Sequence, residues 1–188
     1  MGISLTTAVL LPALALYAGA AWARAPGCGV ERWPVKVGDD PDAESVDLLK
    51  PVPTTLAALD ALATPVDRPE DARVDGTERT VYVLHATLFA YKLETDGDYH
   101  LALTDGAGNT LIVEIPDPAC VGTPSPFLAG VRKARAAFDA RFKAGKRYRT
   151  TAVAVTVTGV GFFDFPHGQK GVAPNAIELH PALDIAFP

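Results

Sequence analysis

Residues 80–115 read TVYVLHATLFAYKLETDGDYHLALTDGAGNTLIVEI, and this stretch decides the fold. Residues 80–93 are apolar on both alternating faces, which predicts one long strand that is buried on both sides. A turn at 96–97 leads into a second strand, and the loop 105–109 closes a hairpin onto a third strand over 110–115. The stretch therefore predicts a meander of three antiparallel strands.

A helix and two further strands are predicted after the meander. Apolar residues recur at spacings of three and four from Phe127 to Phe142, which predicts a helix that ends at Gly145. Valines alternate over 153–157 and predict a fourth strand. The last strand is expected over 177–187, with its apolar residues in one phase.

The predicted order, strand-strand-strand-helix-strand-strand, indicates a mainly β protein with one main helix. This is the order of a five-stranded OB-type Greek-key barrel, an architecture that does not by itself specify function. We assign the OB-fold domain to residues 79–188. Residues 26–78, rich in Pro, Asp and Ala, form an N-terminal extension with a short helix. Trp33 and the leucines of the extension need burial, so we expect it to wrap on the main domain.

The first 25 residues are typical of a secretory signal peptide. Residues 5–22 carry no charge, and Ala23-Arg24-Ala25 offers a small-x-small cleavage site. Cleavage predicts a secreted or periplasmic protein with no stable insertion in the membrane. An uncleaved anchor is the alternative interpretation.

Cys28 and Cys120 are the two cysteines of the sequence, and both follow the predicted cleavage site. An even number of cysteines in an oxidising compartment predicts one disulfide. A metal-binding or catalytic thiol is the alternative, which the spacing disfavours because neither residue has a second Cys or a His close by in sequence.

The formal net charge of -5 is unevenly distributed. Residues 31–78 hold twelve acids against five bases, whereas residues 132–149 hold eight bases and one acid. A basic stretch of this kind can attract a polyanion, although the solvated face of a helix is the more ordinary interpretation.

Two acidic motifs in the meander resemble those of the staphylococcal-nuclease family of secreted calcium-dependent phosphodiesterases. Asp96-Gly97-Asp98 lies where that family carries Asp-Gly-Asp at the start of its second strand, and Glu114-Ile115-Pro116-Asp117 lies where it carries Asp-x-Pro-Glu. The resemblance implies that Asp98 and Glu114 hold calcium, the only cofactor considered, and that Asp117 acts as general base.

The sequence departs from that family at the residues that clamp phosphate. The family's two arginines fall here on Asn109 and about Ala176. His167, Lys170 or His180 would have to supply the cationic groups. Together with Asn175 and Glu178, these residues complete the candidate site: Asp117, His167 and His180 as catalytic residues, and Lys170, Asn175 and Glu178 as ligand-binding residues. Because Glu178 and His180 alternate with the apolar residues of the last strand, we expect them to project away from the core.

The segments 31–36 and 173–181 are also similar to those of small exported bacterial proteins of unassigned function. We expect an exported OB-fold protein that binds an oligomeric or polyanionic ligand, nucleic acid or oligosaccharide, on its barrel face. A calcium-dependent phosphodiesterase of staphylococcal-nuclease type is the alternative function, and a structural role in an envelope assembly is a third. The oligomeric state is left open.

Overall fold

The computed structural model describes residues 27–188, so the predicted signal peptide at 1–25 lies outside the described part. Three α-helices and six strands form in this part of the chain. Their bounds are α1 Trp33–Val37, β1 Val52–Pro53, α2 Leu56–Asp60, β2 Val81–Leu93, β3 Tyr99–Thr104, β4 Thr110–Ile115, α3 Leu128–Asp139, β5 Arg149–Phe163 and β6 Ile177–Ala186. The order of the long elements is the predicted one, with three strands, the longest helix and two strands.

The strands form one mixed sheet in the order β1-β2-β3-β4-β6-β5, and β2 pairs with β5 as well. The five long strands are therefore joined in a closed circuit. The pairs β1–β2 and β4–β6 are parallel and the others antiparallel. The sequence predicted five strands, and the sixth is β1. It has two residues, too few for a periodic pattern, and sets Val52 opposite Tyr82.

The first long strand pairs with two neighbours, but it is only partly buried on both sides, since Leu84 and Leu88 are buried whereas His85 is exposed. β2 pairs with β5 along most of its length and with β3 along its second half. The register of both ladders shifts between Leu88 and Ala90. Such a bulge bends a strand and increases its twist, so one strand can belong to two parts of a curved sheet.

The helix α3 ends at Asp139, six residues before the predicted end at Gly145. Its apolar stripe nevertheless continues: Phe142 packs against Tyr91, Phe138 and Phe187 at ring-centroid distances of 5.0, 5.3 and 5.2 Å. The periodic pattern was thus correct about burial and wrong about the backbone. After Asp139 the chain forms a loop over 140–148 that the β2 amide of Leu93 holds by donating to the carbonyl of Gly145.

The N-terminal extension packs on the sheet through a second apolar cluster. Trp33, Val37 and Val46 contact residues of β2, β5 and α3. The predicted disulfide between Cys28 and Cys120 is present, with a Cα–Cα distance of 5.6 Å. It ties the start of the extension to the segment that follows β4. Within residues 27–188, no helix has the length and apolar character needed to cross a membrane.

A buried ion pair fixes the extension in position. Arg32 donates from Nη1 to Glu78 Oε1 over 2.7 Å and also to three backbone carbonyls, and both side chains are fully buried. Because a buried pair loses about 3–5 kcal/mol when one partner is removed, this contact anchors α1 firmly. The helix carries Lys36, which it places beside β6 and the candidate site.

Candidate functional site

A cleft of about 550 Å³ lies between the N-terminal extension, the turn that joins β2 to β3 and the segment that follows β5. Residues 27–31 form one wall, and the disulfide at Cys28 holds that wall in place. Five carboxylates line the cleft, namely Glu31, Glu94, Asp96, Glu114 and Asp164. Their basic neighbours are Lys36, Lys92 and His167. The cleft therefore presents a predominantly acidic surface.

Strand pairing brings the polar residues of three strands together beneath this cleft. His100 of β3 lies opposite Glu114 of β4, and Glu178 of β6 lies opposite Ile112 of β4. His180 is two residues further along β6, so it shares a face with Glu178. Glu178 and His180 lie outside the hydrophobic core cluster that contains Ile177 and Leu179, as their phase in the strand predicts. They are nevertheless buried, at 4% and 1% exposure, on a strand against which helix α1 packs.

Glu114 is the centre of the cluster, with a histidine at each carboxylate oxygen. Its Oε1 lies 3.1 Å from Nδ1 of His100, and its Oε2 lies 3.3 Å from Nδ1 of His180. The other ring nitrogen of His100 faces the carbonyl of Lys170 at 2.8 Å. Both ring nitrogens of His100 therefore face oxygen atoms that can accept a hydrogen bond. Burial raises the pKa of Glu114, but its close contacts with His100 and His180 and the charge of Lys36 hold it well below its usual range.

His180 and Asp98 carry polar atoms that are buried and unsatisfied. Within the described residues 27–188, neither ring nitrogen of His180 has a hydrogen-bond partner, and neither does Oδ2 of Asp98. Glu114 is close to His180 Nδ1, yet their contact does not have the geometry of a hydrogen bond. Asp98 Oδ2 lies 3.7 Å from His180 Nε2, while its Oδ1 accepts from the amide of Asp117. Unsatisfied buried groups are uncommon because each costs about 1–3 kcal/mol.

The buried cluster also holds more acids than bases. Burial and the nearby Glu114 carboxylate raise the pKa of Asp98 well above its ordinary value, and burial, Glu114 and Asp164 do the same to the pKa of Glu178. Lys36 is the nearest ammonium, and it pairs with Asp164 at 2.9 Å. Burial lowers the pKa of Lys36, but the three carboxylates Asp164, Glu114 and Glu178 more than reverse this. The cluster is thus an environment that favours additional positive charge.

Asp98, Glu114 and His180 form a group that could hold a metal ion. Each offers one ligand atom, and these atoms lie within 4.8 Å of one another. Two carboxylates and one imidazole suit a transition metal such as zinc or manganese. Calcium, the cofactor considered from the sequence, takes six to eight oxygen ligands, so an imidazole nitrogen fits it less well.

Two further groups have metal-like spacing, Glu94–His100–Glu114 and Glu31–Asp164–His167. Their histidines already have partners. His100 contacts Glu114 and the carbonyl of Lys170, whereas His167 contacts Glu31 at 2.7 Å. The group at Asp98, Glu114 and His180 differs from both because its histidine has both nitrogens unsatisfied. It is therefore the strongest candidate metal centre in residues 27–188.

The structure brings four of the predicted site residues together and separates the others. Asp98, Glu114, Glu178 and His180 share the buried cluster. His167 lies in the lining of the cleft and is exposed. The carboxylate of Asp117, the expected general base, instead accepts from the amide of Ala119 at the start of a short 3-10 helix.

Lys170 and Asn175 have positions outside the cluster. Lys170 is exposed, with its ammonium 5.8 Å from the centre of the Tyr148 ring. Asn175 is buried, and its amide nitrogen donates to the carbonyls of Leu59 and Leu62. Its side chain thus fastens α2 to the start of β6, which is a structural use of the residue.

Sequence analysis missed His100 and Lys36. His100 occupies the polar phase of β3, directly across from Glu114, so its pairing could have been inferred from the hairpin register. Lys36 precedes Glu114 by 78 positions in the numbering. It reaches the cluster only because the extension folds back onto the sheet, and no local pattern signals that.

Comparisons with known proteins add little to this geometry. No protein-family model matches the sequence. No curated protein matches it either. Among solved structures, the chain is similar to a Leishmania major Friedlin protein described as an aspartyl-tRNA synthetase, with a TM-score of 0.40 and 13% identity. The similarity covers 75% of this chain and 21% of that chain. At this level it decides neither the fold nor the function.

Proposed function

We propose that this chain is an exported OB-type protein that binds one divalent transition-metal ion beneath its cleft, with Asp98, Glu114 and His180 as ligands. One observation carries the proposal. Both ring nitrogens of His180 and Oδ2 of Asp98 are buried without hydrogen-bond partners, next to the carboxylate of Glu114. An ion bound by the three side chains would satisfy one nitrogen of His180 and the free oxygen of Asp98, and would balance the excess of buried carboxylates.

The strand circuit and the disulfide support the remaining parts of this proposal. A meander of three strands, a helix, a parallel β4–β6 pair and closure by β2–β5 are features of an OB-type barrel. The Cys28–Cys120 disulfide is consistent with an oxidising compartment outside the cytosol. Export is inferred from this bridge together with the predicted signal peptide.

The cleft offers a route from solvent to the ion site. Glu114 belongs both to the cleft lining and to the metal group, so one ligand is reachable from outside. Acids predominate in the lining, which disfavours a polyanionic ligand and favours entry of a cation. For this reason we do not place the polyanion expected from the sequence in the cleft.

Titration calorimetry of the tag-free, disulfide-intact protein with Zn²⁺, Mn²⁺ and Ca²⁺ tests the proposal. With both cysteines in the bridge, no thiolate is left to bind zinc. We expect one transition-metal ion per chain, bound more tightly than calcium. Replacing a ligand, as in Asp98→Asn or His180→Ala, should weaken binding by about tenfold or more.

Three control variants locate the ion. Glu44→Gln and His85→Ala alter an exposed carboxylate and an exposed imidazole away from the cluster, and both should leave binding unchanged. His167→Ala separates the cluster from the Glu31–Asp164–His167 group lining the cleft. Binding that survives His180→Ala but is lost in His167→Ala contradicts the proposal, as does wild-type protein that binds none of the three ions.

Metal-dependent phosphodiester hydrolysis is a second candidate function, and one observation favours it. Asp98 and Glu114, the two acids aligned with calcium ligands by the resemblance, belong to one group of converging ligand atoms. A bound ion would supply Lewis-acid chemistry there, and Lys36 would be the nearest cation. Incubation with single- and double-stranded DNA and RNA tests it. Cleavage that a chelator and Glu114→Gln both abolish supports this function, and intact substrate with every ion excludes it.

A further inference from the structure

Basic residues of residues 27–188 fall into two sets that differ in their partners. Outside residues 132–149 there are eight, and six of them pair with Asp or Glu side chains: Arg32, Lys36, Lys50, Arg73, Arg79 and Lys92. Inside residues 132–149 there are also eight, and only Lys133 pairs with an acid, Asp184. The basic excess seen in the sequence is therefore not neutralised by the fold.

Two other bases of this segment are used within the protein. Arg135 lies 3.5 Å from the centre of the Tyr99 ring and donates to the carbonyls of Gly97 and Ile115. Arg141 donates to the carbonyl of Pro188. The remaining five are exposed and have no acidic partner in the described part of the chain, and we call them the cationic surface: Arg132, Lys143, Lys146, Arg147 and Arg149.

Most of the cationic surface lies on a loop that the fold holds in place. Lys143, Lys146 and Arg147 belong to the loop 140–148, which Phe142 anchors in the aromatic cluster and the Leu93–Gly145 hydrogen bond fastens to β2. Arg149 follows in β5, opposite Tyr91. Positive charges on a held loop lose little conformational freedom when a partner binds, which favours association.

We infer that the cationic surface binds the phosphate backbone of nucleic acids without reading the base sequence. Three of its five residues are arginines, whose planar guanidinium groups suit phosphate oxygens. Tyr148, the aromatic residue beside them, has Lys92 at 4.8 Å and Lys170 at 5.8 Å from its ring centre, so it does not offer a bare face for stacking bases. Contact is therefore expected with phosphates rather than bases.

A membrane surface fits these residues less well. The large apolar residues that the structure exposes in residues 27–188 are Val30, Leu49, Val52, Val66 and Phe165, and none of them belongs to residues 132–149. Peripheral membrane proteins usually combine basic residues with apolar side chains that enter the lipid. The basic residues of 132–149 are not accompanied by an exposed large apolar side chain from the same segment. This inference is independent of the metal ion and goes beyond the function proposed above.

Fluorescence anisotropy with labelled single-stranded and duplex DNA of several sequences, in chelator and over a series of salt concentrations, tests the inference. We expect binding that is insensitive to sequence. For five duplex phosphate contacts the logarithm of the binding constant falls with the logarithm of salt at a slope of about -4.5. The triple variant Arg132→Gln/Lys146→Gln/Arg147→Gln should reduce the size of that slope by about 2.7 and weaken binding by about tenfold or more at low salt.

The matched control is Lys50→Gln/Arg68→Gln/Lys133→Gln, which removes the same charge from three positions outside the cationic surface, two of them exposed and one half-buried. It should bind nearly as the wild type does. Equal weakening by both triple variants overturns the inference, because net charge alone would then explain binding. The inference is also overturned if the wild-type protein does not bind DNA at low salt. It is overturned as well if the protein binds heparin, or vesicles rich in anionic lipid, more tightly than DNA. If the triple variant folds poorly, the single variant Arg147→Gln gives the same test. It should reduce the size of the salt slope by about 0.9.

Discussion

The buried cluster around Glu114 and the cationic surface contain opposite kinds of unpaired charge. In the cluster, carboxylates exceed cations inside the protein, and His180 and Asp98 keep unsatisfied atoms there. In the cationic surface, five bases without acidic partners face water. Water solvates an exposed charge at little cost, whereas a buried one lowers stability unless a partner compensates it.

Ligands of the two regions should therefore change the stability of the protein by different amounts. A ligand of the buried cluster would satisfy unpaired polar groups of the folded state, so its binding should stabilise the protein strongly. A ligand of the cationic surface would only replace water and counterions, so its loss should leave folding unchanged. Three predictions use this difference, in order of decreasing effect on stability.

Metal addition should give the largest effect. At a concentration of about one hundred times the dissociation constant, a bound ion adds about 2.7 kcal/mol to the free energy of unfolding. For a chain of this size that is a rise of roughly 5–10 °C in the melting temperature, measured by calorimetry or circular dichroism. Glu114→Gln should show no rise. Equal rises in wild type and Glu114→Gln would mean that the ion binds elsewhere.

Removing one carboxylate from the cluster should give an intermediate effect. Glu178 is buried, its Oε2 has no partner among the described residues, and Glu114 and Asp164 lie close enough to repel it. Glu178→Gln should therefore stabilise the metal-free protein by about 1 kcal/mol, or roughly 2–4 °C. A denaturant titration in chelator measures this. A clear loss of stability would show that the Glu178 carboxylate has a compensating partner.

Substitution on the cationic surface should give the smallest effect. Because Arg132, Lys146 and Arg147 are exposed and make no ion pairs, their triple Gln variant should unfold within about 0.5 kcal/mol of wild type. The same denaturant titration compares them. A larger destabilisation would indicate that these bases have structural partners, which would remove the contrast between the two regions.

The order of the long strands and of the main helix, and part of the site, could be predicted from the sequence, because both depend on local patterns. Alternating apolar residues fixed β2 to β6, and the Asp98 and Glu114 motifs lie on one hairpin, so hairpin geometry alone brings them close. The disulfide was predicted from the number of cysteines. These inferences needed only the periodicity of strands and the chemistry of the compartment.

The rest of the site depends on contacts between distant segments, which local patterns do not encode. His180 was expected to project away from the core, but its burial, on a strand against which helix α1 packs, has no signal in the local pattern. Lys36 reaches the cluster through the fold of the extension. Asp117 was given a catalytic role on spacing alone, but its side chain caps the 3-10 helix that follows. The motif keeps the spacing of the staphylococcal-nuclease family, but this did not give Asp117 the role that the resemblance implied.

Anomalous X-ray diffraction from crystals of the zinc- or manganese-loaded protein tests the metal site most directly. We predict one strong anomalous peak per chain, within about 2.0–2.3 Å of a carboxylate oxygen of Asp98, a carboxylate oxygen of Glu114 and a ring nitrogen of His180. A peak bound by Glu31, Asp164 and His167, or the absence of a peak in crystals soaked at saturating metal, would contradict the account.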